Sequence, residues 1–277
     1  MKTIGVVLSA GLALAGVASA DRPFLFCDPA KSSLCPGLSS IYEFEEASDF
    51  VRTSETGGVR FLEPDGANVG NSATKKTGSY SLAHTAVANS YVYVPRATGP
   101  SGQFTTSFWI YVTTLPSATT KRVQILSTRD ALGNEGYPRV YMLNTAGVTK
   151  FRYEVKKSID DAVVTVENGQ TISVSTWYHV AFGQTPNWAS TAPYQQSIWI
   201  SVNANTKVAG NIAYQDISTF GDFIVGAWNA TSPNEYGAYN IDQMASWGAT
   251  FSPGDLTRLY NAGTGCAFPF VASGTTC

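Results

Sequence analysis

Histidine is scarce in this 277-residue chain, which has only His84 and His179. A metal centre built on clustered imidazoles is therefore excluded, and a Ser–His–Asp site would have to use one of these two. No Gly-x-Ser-x-Gly sequence supports such a site. His179 lies among apolar neighbours in Trp177-Tyr178-His179-Val180-Ala181, which predicts a hydrogen-bonded sheet residue, whereas the Ser/Thr/Ala surroundings of His84 predict a surface position. Charge is also sparse: charged residues are 14% of the chain and the formal net charge is −2. So weak a balance gives no electrostatic basis for holding nucleic acid or an anionic membrane. Charge blocks, low-complexity tracts and internal repeats are absent, so nothing divides the chain into several domains. The cysteines number four, Cys27, Cys35, Cys266 and Cys277, with none between the two terminal pairs. Neither pair has Cys-x-x-Cys spacing or a nearby histidine, which argues against zinc.

What is present begins with Met1–Ala20, where Lys2 precedes an apolar run from Ile4 to Val17 and the small residues Ala18-Ser19-Ala20. This is the pattern of a secretory signal peptide, too short in its apolar part to span a bilayer. No cysteine follows the cleavage site, so a lipid anchor is not expected. In an exported chain the four cysteines read as two disulfides. Three connectivities are open. The local pairs Cys27–Cys35 and Cys266–Cys277 are favoured because each closes a short loop containing Pro or Gly; tying the two ends together would remove more unfolded-state entropy, roughly 5 against 3 kcal/mol per bridge. The expected organisation is a signal over 1–20, a cysteine-containing segment over 21–40, one large β domain over 41–263 and a cysteine-containing tail over 264–277.

Strand-like runs separated by turn residues fill that domain: Ile41–Glu45, Val59–Leu62, Tyr91–Val94, Phe104–Val112, Val123–Ser127, Arg139–Leu143, Phe151–Val155, Ala162–Val166, Trp177–Phe182, Ile198–Val202, Phe223–Trp228 and Tyr236–Trp247. Most alternate, so that Phe104, Thr106, Phe108, Ile110 and Val112 share one face of their strand. Asn203-Ala204-Asn205 predicts a hairpin turn before Lys207-Val208. Helical periodicity first occurs in Ser252–Gly263, with Ser252 as N-cap, Pro253 at the first position, Asp255 near the positive end of the dipole and Gly263 suited to a left-handed cap. The reading is an all-β, two-sheet antiparallel sandwich closed by one short C-terminal helix.

The closing stretch, with Asn240-Ile241-Asp242 followed by Ser252-Pro253-Gly254-Asp255-Leu256 and Leu259-Tyr260-Asn261-Ala262-Gly263, resembles the end of laminin G-like, concanavalin A-like jelly rolls. Ile41-Tyr42-Glu43-Phe44-Glu45-Glu46 is similar to their opening strand, Phe104–Val112 to the central strand, and Trp177-Tyr178-His179-Val180-Ala181 to the strand before the return hairpin. The resemblance implies a jelly roll over 41–263. It carries no single function, because the fold hosts lectins, adhesion modules, hydrolases and structural proteins.

Retaining glucanases of this fold carry a Glu-x-Asp-x-(x)-Glu strand that sets two carboxyls about 5 Å apart as nucleophile and acid. The pattern is missing: Glu43, Glu45 and Glu46 enclose no Asp, and Asp160, Asp161 and Glu167 have the wrong spacing. Solvated turn and edge charges are their simpler reading. The resemblance makes Asp242 the metal candidate, holding a structural calcium with backbone carbonyls near Ile41–Tyr42 and Gly78; the alternative is a carboxylate accepting turn N–H bonds. Trp188 and Tyr194, with Asn187 in the polar loop Gln184–Gln196, form the expected sugar-stacking surface, and Tyr236 borders a second loop, Asn229–Glu235. Trp109, Trp177, Trp199 and Trp247, with Trp228, read as sandwich packing. Asn229-Ala230-Thr231 is a glycosylation sequon. The expected function is a secreted, non-catalytic module that binds a glycan or a cell-surface ligand. The alternatives are an extracellular structural or particle-surface protein and, third, a carbohydrate-active enzyme.

Overall fold

The computed structural model describes residues 32, 34–44, 52–53, 60–61, 69–87, 90–94, 103–117, 122–130, 137–156, 162–186, 195–213, 220–226 and 235–266. In chain order the strands are β1 (Leu38–Tyr42), β2 (Arg52–Thr53), β3 (Arg60–Phe61), β4 (Val69–Ser72), β5 (Ser81–His84), β6 (Val92–Val94), β7 (Phe104–Val112) and β8 (Arg122–Asp130). There follow β9 (Arg139–Thr145), β10 (Val148–Lys156), β11 (Val163–Glu167), β12 (Thr176–Pro186), β13 (Gln195–Val202), β14 (Val208–Ala213), β15 (Phe220–Val225) and β16 (Tyr239–Trp247), then helix α1 (Pro253–Tyr260). One sheet runs β14-β13-β12-β7-β16-β5-β4, with β1 also on β16; the second runs β11-β10-β9-β8-β15-β6. Neighbours in these sheets are antiparallel, as the alternating runs and short turns predict. This is the expected two-sheet jelly-roll sandwich with one short helix.

Alternation builds the core. Phe108, Ile110 and Val112 of β7, Val180 and Phe182 of β12, and Ile198 and Ile200 of β13 meet Val140 and Met142 of β9 and Phe151, Tyr153 and Val155 of β10 between the sheets. The other face of the larger sheet is sealed rather than solvated. Leu256 and Leu259 of α1 pack with Phe251 on Ile41, Ala181, Trp199, Ala245 and Trp247. The Trp247 indole N–H donates to the Leu34 carbonyl at 2.7 Å, joining the N-terminal segment to the last strand.

Helix α1 has the predicted capping box: Ser252 Oγ accepts from the Asp255 amide at 3.2 Å, and the Ser252 amide donates to Asp255 Oδ2 at 2.9 Å. Asn261 rather than Gly263 takes the first left-handed position, with φ +46°, and a tight turn over Asn261–Gly263 follows. Ser252→Ala is expected to cost about 1 kcal/mol, because an orphan N–H loses its partner, and thus to lower the melting temperature by about 2–4 °C. Thermal unfolding followed by circular dichroism checks it; an unchanged midpoint would mean the box contributes nothing.

One strand carries more than its sequence predicts. Ser81-Leu82-Ala83-His84 pairs with β16, and His84, expected at the surface, is only 4% exposed. Its Nδ1 lies 3.1 Å from the Ser90 carbonyl oxygen and its ring centroid 4.9 Å from that of Tyr239. Its place on β5, paired on both sides by β16 and β4, buries it where the local composition predicts exposure. Asn203 and Ala204 both have positive φ, +53° and +56°, making the predicted hairpin turn between β13 and β14.

Candidate functional site

Helix α1 covers one outer face, and the outer face of the six-stranded sheet carries a row of polar side chains. Val140 and Met142 point inward from β9, so the pleat sends Arg139 and Tyr141 to the opposite side. The same rule sends Lys150, Arg152 and Glu154 of β10 outward, between the core residues Phe151, Tyr153 and Val155. Register then sets Arg139 opposite Glu154, Tyr141 opposite Arg152, and Arg152 opposite Glu167 of β11. A ladder of planar polar and aromatic side chains across three strands results.

The contacts are charge-assisted. Arg139 Nε donates to Glu154 Oε2 at 2.7 Å and Nη2 lies 2.6 Å from the same oxygen, while Glu154 Oε1 accepts from the Tyr141 hydroxyl and from Thr165 Oγ1 at 3.2 Å. Glu167 accepts from Lys150 Nζ at 3.0 Å and from Arg152 Nε. Near the other side of β9, Arg122 Nε donates to Glu235 Oε1 at 2.7 Å. The Arg139 guanidinium lies 4.3 Å from the Tyr137 ring centroid and 5.6 Å from that of Tyr141. Burial, and then the hydrogen bond to Glu154, push the Tyr141 phenol well above its usual range. Burial works against ionisation of Glu167, but the hydrogen bonds from Arg152 and Lys150 outweigh it and hold this carboxyl below the usual range.

A glycosidase acid needs a carboxyl whose proton is retained near neutral pH. Glu167 is shifted the opposite way, its carboxyl held low by the hydrogen bonds from Arg152 and Lys150. His179 lies on β12 of the larger sheet. It is 2% exposed, and burial, with the nearby Lys76 charge, pulls its imidazole down to about 3. It lines a water-sized cavity with Ser107, Trp109 and Gln243 beneath the helix, far too small for a sugar.

Of the residues expected to bind ligand, Trp188, Tyr194 and Asn187 lie outside the described residues, as do Asn229, Glu45, Glu46, Asp160 and Asp161. Tyr236 is half-buried and follows Glu235, which anchors Arg122. Glu43 is half-buried just after β1. Trp109, Trp199 and Trp247 are buried as expected and Trp177 is half-buried. Cys35 and Cys266 are buried and disulfide-bonded, while Cys27 and Cys277 lie outside the described residues. Asp242 is fully buried and accepts backbone N–H bonds from Lys76, Thr77 and Gln243. Among the described residues no helix is long and apolar enough to cross a membrane.

Comparison with known families finds the laminin G-like model of the concanavalin A-like lectin/glucanases superfamily matching residues 86–257, more than half of the chain. The chain belongs to this superfamily. No curated protein sequence matches it. Solved structures share the superfamily's fold. The binding domain of Paraclostridial Mosquitocidal Protein 1 is 14% identical with a TM-score of 0.53, over 82% of this chain and 52% of that one. The receptor binding domain of botulinum neurotoxin D is 11% identical with a TM-score of 0.59, over 82% and 53%. Trypanosoma rangeli sialidase is 12% identical with a TM-score of 0.57, over 83% and 34%. The superfamily member described here thus spans about half of each toxin domain and a third of the sialidase chain.

Proposed function

We propose that this superfamily member is a secreted, non-catalytic recognition module that binds a glycan of an extracellular surface. The observation that carries the reading is the contrast between the two outer faces. One is sealed by α1; on the other, Lys150, Arg152 and Glu167 are about one-third exposed and stand beside the buried set Tyr137, Arg139, Tyr141 and Glu154 that holds their strands in register. The partly exposed Lys150 ammonium, Arg152 guanidinium and Glu167 carboxylate offer directional hydrogen bonds to sugar hydroxyls, and the buried Arg139–Glu154 pair with Tyr141 fixes the strands that carry them. That two structurally similar proteins are a binding domain and a receptor binding domain supports recognition. The lowered Glu167 carboxyl and the missing glucanase strand speak against turnover. Export by the 1–20 signal and disulfides on both terminal segments complete the proposal, with Trp188 and Tyr194 as further stacking residues.

A glycan array probed with the intact secreted protein tests it. Lys150 and Arg152 are about one-third exposed, so their ion pairs contribute at most about 1 kcal/mol to stability. The Lys150→Ala/Arg152→Ala double variant is expected to keep its melting temperature within a few degrees and to lose at least about tenfold in affinity for an array-selected glycan. Trp188→Ala should weaken the same binding. Wild-type affinity on both the array and an extracellular-protein panel at background level would transfer the case to the structural-protein alternative.

A further inference from the structure

The environment of Asp242 differs from that of a calcium ligand. β16 has one extra residue between its pairings Asp242↔Trp109 and Ala245↔Ser107, a β-bulge at which Gln243 adopts φ +47°. The bulge turns the Gln243 amide onto Asp242 Oδ1 at 2.8 Å, while Oδ2 accepts from the amides of Lys76 at 2.7 Å and Thr77 at 3.0 Å. A divalent cation of the calcium type needs six to eight oxygens with lone pairs directed at it. Around Asp242 the neighbouring backbone groups present hydrogens instead, and each would have to be displaced before a cation could approach. Among the described residues there is also no group of three or more His, Cys, Asp and Glu side chains able to hold a metal.

A positive charge is nevertheless built in. The Lys76 Nζ lies 4.3 Å from the Trp109 ring centroid and donates to the Gly263 carbonyl; burial pulls its pKa down, and the Asp242 charge opposes that pull. Gly265, at φ +82°, lets the chain pass close by: a Cβ there would stand 3.1 Å from Gln243 Oε1 and 3.2 Å from Trp109 Nε1. Gln243 Nε2 donates to the Cys266 carbonyl at 3.2 Å. The bulge of the last strand, the turn around residue 76 and the end of the helical segment therefore converge on one ammonium and one carboxylate.

We propose that the Lys76 ammonium is the resident cation of this site, in place of a divalent metal, and that it locks the C-terminal segment onto the larger sheet, making folding and ligand binding calcium-independent. The statement about ligand binding rests on the recognition reading above; the statement about folding does not. Melting temperatures of the intact chain in millimolar CaCl2 and in EDTA are expected to coincide. Lys76→Met, which keeps the stem and removes the charge, should lower the midpoint by several degrees equally in both buffers, and Lys76→Arg should recover part of the loss. A midpoint several degrees higher in CaCl2 than in EDTA would overturn the proposal, as would a Lys76→Met chain as stable as wild type. Calorimetric titration of the wild-type chain with CaCl2 needs no variant: heat saturating near one equivalent contradicts the proposal, and the absence of saturable heat supports it. A chain that binds no glycan but melts identically in the two buffers would refute the recognition reading and leave the ammonium lock standing.

Discussion

Between pH 7 and pH 4 the folded chain is expected to lose about 3 kcal/mol of stability through His179 alone. The imidazole is buried beneath the helix, its centroid 5.2 Å from Trp109 and 6.4 Å from Tyr260, with Lys76 the charged group nearby. Burial first, and the Lys76 charge second, lower it from 6.5 to about 3. The sign follows from which state takes the proton. Below pH 6.5 the unfolded chain binds a proton that the native chain refuses until about pH 3, so the stability present above pH 6.5 falls as pH falls through that window. The whole window amounts to about 5 kcal/mol, a large part of the 5–15 kcal/mol of a typical domain. Denaturant unfolding followed by tryptophan fluorescence at pH 7 and pH 4 measures it. His179→Gln should flatten the pH dependence between these values, although the carboxyls, Glu167 among them, retain their own loss at lower pH. Identical pH slopes in wild type and variant would remove His179 as the acid-sensitive group.

Glu154→Ala should be among the most damaging single changes on the polar face. It leaves the Arg139 guanidinium, whose side chain is only 7% exposed, without its carboxylate and deprives the Tyr141 hydroxyl of its acceptor. Breaking a buried pair by removing one member costs about 3–5 kcal/mol, which at about 2–4 °C per kcal/mol is a fall of roughly 10 °C in melting temperature. Replacing both partners, Arg139→Met with Glu154→Leu, is expected to recover most of that stability, since no unpaired charge remains. Binding should follow stability. Arg139 and Glu154 are buried, so the double variant keeps the partly exposed Lys150, Arg152 and Glu167 and should bind the selected glycan about as well as wild type. A stable double variant that no longer binds would show that the pair also contacts the ligand.

These residues explain why the fold was easier to read from the sequence than the site. Phe104–Val112 alternates over nine residues and is the strand the sequence predicts, and Ser252-Pro253 with Asp255 marks its helix to within a residue. Both signals are local. Val69-Gly70-Asn71-Ser72 and Ser81-Leu82-Ala83-His84 escape the same reading because they contain few apolar residues and are strands only through pairing with each other and with β16. The polar ladder is still less local. Arg139, Glu154 and Glu167 sit on three strands, and only the register that sets Arg139 opposite Glu154 and Arg152 opposite Glu167 makes them one surface. The available signal was the repeated outward polar position in Arg139-Val140-Tyr141-Met142 and Lys150-Phe151-Arg152-Tyr153-Glu154. Asp242 stands out in its motif, but the amides of Lys76 and Thr77 that donate to it are more than 160 residues away in sequence and are not legible there.

The central claim, recognition without turnover on the outer face of the six-stranded sheet, meets its most direct test in titration calorimetry of the intact wild-type protein with an array-selected glycan, followed by chromatography of the recovered ligand. A shallow polar surface that orders few groups predicts saturable binding with a roughly micromolar to millimolar Kd, and the glycan returned unchanged. Sugar released from the ligand, or no saturable heat with any glycan selected on the array, would contradict the account.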